Sequence, residues 1–274
     1  MGPRPGWGSV ARHGANALHD DRPSSPRGRP SGGAAIPWEP EEWLEVDEST
    51  AGPVRRSVAD GPSGGSRPLP AQVAAELADA GGRQAPRLAE RLADAHRAFS
   101  RDRFIDARRM LVALAEAAPD SPTVRELLGL TCYRLGQWRA AVRELDAWAT
   151  QTGETRLHPF LADAHRALGH HAQVARLWDE LRQASPDAAT VAEGRIVAAG
   201  SLADRGDLAG AIALLEAGRH RSRHPEDHHL RIWYALADLY ERAGELPRAR
   251  DLFERVAAVD PDFVDVRQRR RSLG

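Results

Sequence analysis

The chain has 274 residues, with 38 basic and 39 acidic side chains and a net charge of -1, a balance that argues against a dedicated nucleic-acid binder. Every basic residue is an arginine, so phosphate-loop, kinase and Schiff-base chemistries that need a lysine are excluded. The single cysteine, Cys132, excludes an internal disulfide and a multi-cysteine metal centre.

Residues 1–66 contain 11 glycines and 9 prolines with no sustained periodicity, the composition of a disordered arm. Its first part is mildly basic. It then turns acidic over residues 38–48, where Glu39, Glu41, Glu42, Glu45, Asp47 and Glu48 surround Trp38, Trp43 and Leu44. Trp38, Glu41, Glu42, Trp43 and Leu44 form a candidate linear motif, because tryptophans are scarce in disorder-prone chain. No apolar run follows a basic start and no stretch approaches the ~20 residues that span a bilayer, so a cytoplasmic, membrane-free protein is expected.

Residues 67–87 read as a capping helix, Ala71 to Ala80, and a linker. From residue 88 onward the pattern changes to alanine, leucine, arginine and aspartate at helical spacing. The clearest unit runs from Leu230 to Phe263: Trp233, Leu236, Ala237, Tyr240, Gly244, Ala249, Phe253 and Pro261. The same frame fits four earlier units, with starts near 88, 122, 155, 192 and 230. These are 34, 33, 37 and 38 residues apart, and the extra residues in the last two gaps read as longer turns or as N-terminal extensions of the next helix. Each unit holds two amphipathic segments. Glycines 136, 169, 206 and 244 fall where the first helix should end, and Pro119, Pro186 and Pro261 follow the second. Residues 264–274 read as a C-terminal solvating helix and tail, with Arg267, Arg269, Arg270 and Arg271 facing outward.

This pattern resembles the tetratricopeptide repeat, W-x2-L-G-x2-Y then A-x3-F then P. In its lysine-free, arginine-rich composition the chain is similar to actinobacterial proteins of that kind. The resemblance implies an all-α fold, a right-handed α-solenoid of about five helix pairs over residues 88–263 behind the disordered arm. It also implies that first helices line a concave groove. The groove positions would include Phe99, Tyr133, Arg134, Arg156, Arg166, Tyr234 and Asp238, with Phe160 beside them. They would also take in His96, Ser100, Glu126, Asp163, Glu193, Ile196, Asp204, Arg231, Glu241 and Arg242. The lysine and asparagine set with which some members clamp a C-terminal carboxylate is missing.

Other chemistry is thinly represented. His220, His224, His228 and His229 cluster between the last two units, but Pro225 interrupts their helix, so an exposed loop is expected instead of a metal site. Cys132 and His165 occupy a core position. No nucleophile motif or catalytic constellation is visible. The expected function is therefore non-enzymatic, with no cofactor: an adaptor or scaffold that binds a segment of another protein in the groove. The arm's acidic motif could dock there within the chain, drawn by Arg134, Arg156 and Arg166. The alternative is a nucleic-acid-associated or regulatory accessory factor using the arginines of arm and tail.

Overall fold

The computed structural model describes residues 71–218 and 225–273. The arm, with its candidate motif at Trp38, Glu41, Glu42, Trp43 and Leu44, lies outside the described residues, as do His220 and His224. Among the described residues the structure is all-α. In chain order the helices are α1 (Ala71–Gly81), α2 (Ala85–Ser100), α3 (Phe104–Ala117), α4 (Pro122–Arg134) and α5 (Trp138–Thr152). They continue with α6 (His158–Ala167), α7 (His171–Ala184), α8 (Ala188–Asp204), α9 (Leu208–Ala217), α10 (Asp227–Ala243), α11 (Leu246–Val259) and α12 (Val266–Ser272). They fall into two compact units that divide between Gly153 and Glu154. The N-terminal unit contains α1 and the hairpins α2–α3 and α4–α5. The C-terminal unit contains the hairpins α6–α7, α8–α9 and α10–α11, closed by α12.

The five hairpins share one turn. The backbone N–H groups of Arg103, Gln137, His170, Asp207 and Glu245 donate to the carbonyls of Ala98, Cys132, His165, Leu202 and Tyr240, five residues back in each case, at 2.8–3.0 Å. Such a bond requires a left-handed residue just before the donor. In four turns that residue is Gly136, Gly169, Gly206 or Gly244, with φ of 68° to 86°. In the α2–α3 turn it is Asp102, at φ 57°, a short polar residue that tolerates this conformation better than most. The first repeat therefore closes like the others without the glycine that marks them.

Helix starts follow from local chemistry. Pro122 and Pro159 stand in the first turns of α4 and α6, where proline's missing N–H costs nothing. Asp187 caps α8 through the Thr190 N–H at 2.8 Å, and Asp207 caps α9 through Gly210 at 2.8 Å. The wider spacing of the last two repeats goes with first helices α8 and α10 of 17 residues each and, before α10, with nine residues between it and α9. His228 and His229 are half-buried in the first turn of α10, not on an exposed loop. The His229 ring accepts a hydrogen bond from the Glu226 N–H at 3.2 Å, and burial holds the His228 imidazole below its ordinary pKa.

Packing between helices is close where a side chain is missing. A Cβ on Gly194 would stand 2.2 Å from the Leu181 side chain, so α8 approaches α7 to a distance only glycine allows. In the last hairpin Trp233, Leu236, Ala237, Tyr240, Ala249, Phe253 and Val256 are all buried together. Cys132 is buried on α4, and desolvation pushes its thiol up despite Arg108 nearby. Because the thiolate is the reactive species, Cys132 should react with a disulfide reagent only as fast as the fold opens. Stoichiometric labelling in a rapid burst under native conditions would show that the repeat frame around α4 is wrong.

Candidate functional site

Polar side chains are buried almost entirely on one class of helix. His96, Thr123, Glu126, Thr131, His158, Asp163, His165, Arg166, Thr190, Glu193, Ser201, Arg231 and Asp238 are buried, and all lie on first helices. The other buried polar residues are Ser121, which caps α4, and Glu144 on α5. The other buried residues of the second helices are hydrophobic. The buried polar chemistry of the fold thus sits mainly on α2, α4, α6, α8 and α10.

The expected groove residues are more enclosed than their repeat positions suggested. In the N-terminal unit Phe99 and Tyr133 are buried. Phe99 packs edge-on to Phe104 at 5.3 Å, and Tyr133 packs edge-on to Trp138 at 5.5 Å. Arg134 is half-buried. It pairs with Asp102 at 3.1 Å and lies 4.5 Å over the Phe104 ring. The residue that shapes the α2–α3 turn thus also neutralises this arginine.

In the C-terminal unit Arg156 is half-buried and pairs with Glu154 at 2.8 Å, and Phe160 is buried. Arg166 is buried between two carboxylates, donating to Asp204 at 2.6 Å and Asp163 at 3.2 Å. Arg231 on α10 donates to the fully enclosed Glu193 of α8 at 2.8 Å. Burial pushes the Glu193 carboxyl up despite the pull of Arg231. On α12, Arg269 pairs with Asp238 and, at 3.3 Å, with Glu241. Burial also raises the Asp238 carboxyl against the pull of Arg269. Tyr234 is buried, and its hydroxyl donates to Asp265, so its phenol is pushed up by burial first and that carboxylate second.

These contacts form a ladder. Arg166 ties α6 to α8 and Arg231 ties α8 to α10, each joining one first helix to the next, and Arg269 ties α10 to the closing helix α12. Arg269 was expected to face solvent with its neighbours, but the structure turns it inward. The physical reason is Asp238, which is buried and needs a counter-charge. Arg134, Arg156 and Arg166 each hold a carboxylate already, so they present no unneutralised charge to an acidic segment.

Among the described residues no cluster of three histidine, cysteine, aspartate or glutamate side chains could hold a metal ion. His165 and His170 meet ring to ring, Nδ1 to Nδ1 at 3.1 Å, and His171 meets the Ser201 hydroxyl at 2.8 Å. These are contacts within and between hairpins.

Comparison with known proteins bears on the same helices. Two tetratricopeptide repeat family profiles match, one over residues 89–154 and one over residues 202–270. Both stretches are tetratricopeptide repeats. A thermophilic TPR protein from Thermus thermophilus, known from its crystal structure, is similar over 67% of this chain and 97% of that one, with a TM-score of 0.50 and 19% identity. At that identity the likeness is one of fold. No curated protein matches the sequence. Tetratricopeptide repeats are in general protein–protein interaction modules. Among the described residues no helix is long and apolar enough to cross a membrane.

Proposed function

We propose that this protein is a non-enzymatic adaptor that holds an extended segment of another protein on the first-helix face of its repeats. The observation that carries this reading is the segregation of polar side chains. Nearly every buried hydrogen-bonding or charged group lies on a first helix, in a fold whose repeats are interaction modules. Arg134 and Arg242, at the ends of first helices and at least partly exposed, are of a type enriched at interface hot spots. Ion pairs between repeats keep the face in register, so a partner would meet a preorganised surface and lose less freedom on binding.

A photoreactive residue placed singly at Ser100, Arg134 or Arg242, which lie on or at the ends of first helices, should capture partner protein in the native cell. The same residue at the exposed second-helix positions Arg109 or Arg139 should not. Mass spectrometry of the adducts identifies the partner. Equal capture from both helix classes, or none from the first, would overturn the proposal. The acidic segment around Trp38 and Trp43 is proposed as an intramolecular competitor for the same face. A synthetic peptide of residues 36–48 should reduce capture if it docks there, and leave it unchanged if it does not.

A further inference from the structure

Outside the arginine ladder, four guanidinium groups are gathered at one place. Arg250 and Glu254 on α11, Pro261 in the following turn, and Arg267, Arg270 and Arg271 on α12 line a surface pocket of about 460 Å³. Two of the four arginines are committed to the fold. Arg250 donates to the Leu273 carbonyl. Arg267 donates to the Pro261 carbonyl at 3.0 Å and pairs with Asp262 at 2.9 Å. Arg270 and Arg271 are exposed, and among the described residues they make no hydrogen bond or ion pair. The difference from Arg269, one residue away, is one of helix face. Arg269 turns to Asp238 and Glu241, while its neighbours turn to the pocket.

We propose that this pocket is a second binding site, distinct from the first-helix face, and that it takes an acidic peptide segment of a partner protein. Guanidinium groups present a planar fork of donors that matches a carboxylate two bonds at a time. Four of them around one pocket attract clustered carboxylates, and Arg270 and Arg271 bring the forks that the fold does not use. Glu254 selects among anions. A lone carboxylate inside a basic pocket repels densely charged phosphates, but it can accept a hydrogen bond from the backbone N–H of a peptide. Pro261 supplies an apolar wall for the peptide chain. The volume is larger than a single carboxylate needs and suits a few consecutive residues.

The test uses the full chain and a capped, fluorescent hexaglutamate peptide, followed by fluorescence anisotropy at low ionic strength. Saturable binding is expected, weakening as salt screens the exposed charges. Arg270→Ala combined with Arg271→Ala should weaken it by about tenfold or more. The helical circular dichroism and the melting temperature should stay unchanged, because neither side chain holds the fold. Glu254→Gln should tighten binding of single-stranded oligonucleotide more than binding of the peptide. Three results would overturn the proposal: no saturation at millimolar peptide, peptide binding that survives in the double variant, or wild-type protein that prefers an oligothymidylate of equal charge through the same two arginines. The photocrosslinking experiment reads a different face, so either proposal can fail while the other stands.

Discussion

Replacing Phe253 by alanine should destabilise the C-terminal unit by about 3–5 kcal/mol. Phe253 is fully enclosed on α11, and it meets three kinds of neighbour. The Tyr234 ring of α10 stands edge-on at 5.4 Å, and the Arg269 guanidinium of α12 lies 5.3 Å over its face. The rest of its surroundings is apolar, from the core that includes Trp233, Leu236 and Val256. Truncation removes the transfer energy of the ring and leaves a cavity that rigid helices cannot close. It also removes an aromatic pair worth about 0.5–1.5 kcal/mol. The upper half of the range is therefore expected. Urea unfolding followed by tryptophan fluorescence measures it, and repeat proteins call for a global fit because their repeats need not unfold together. A loss below about 1 kcal/mol would mean that Phe253 is not at the centre of the last hairpin.

Much of this fold was legible in the sequence because tetratricopeptide packing is local. A small residue at Ala237, a large one at Tyr240 and a glycine at Gly244 determine the first helix, its neighbour and its end, all within about two turns. Five helix hairpins follow from that spacing alone. Asp102 was not legible as a turn residue, because aspartate marks helix caps and surfaces far more often than left-handed backbone. The surroundings of each first helix were not legible: Tyr133 and Tyr234, read as groove residues, are buried against Trp138 and Phe253 of second helices. Periodicity says which side a residue is on, while the carboxylate that neutralises it lies in another repeat. Asp204 is 38 residues from Arg166, and Asp238 is 31 from Arg269. For that reason Arg269 read as one more solvated arginine in a run, and Arg166 as available for a partner. The same distance hid the pocket. Arg250 and Glu254 belong to one repeat's second helix and Arg270 and Arg271 to the tail, and only folding brings them together.

The pair of Arg231 and Glu193 offers the sharpest test of the ladder. Side-chain exposure is 9% for the arginine and 1% for the glutamate, so this is a buried ion pair. Breaking one partner of such a pair typically costs about 3–5 kcal/mol, because the survivor remains charged in a poorly solvating site. Arg231→Met should show a loss of that size near neutral pH. The loss should also depend on pH in a definite direction. Burial already holds the Glu193 carboxyl above its ordinary value while Arg231 pulls it down, and removing the arginine lets it rise further. A carboxyl raised in the folded state binds its proton more tightly there than in the unfolded chain. Its contribution to stability is complete below the unfolded value, about 4.3 for glutamate, and is lost as pH rises through the folded one. The Arg231→Met penalty should therefore shrink on acidification, as Glu193 takes up a proton and no longer needs a counter-charge. Replacing both residues, Glu193→Leu with Arg231→Met, should recover most of the stability and remove the pH dependence. Urea titrations of the wild type and the two variants, at neutral pH and again about two units lower, measure all of this. If the single variant loses the same stability at both pH values, the enclosed carboxylate is not what Arg231 is there to balance.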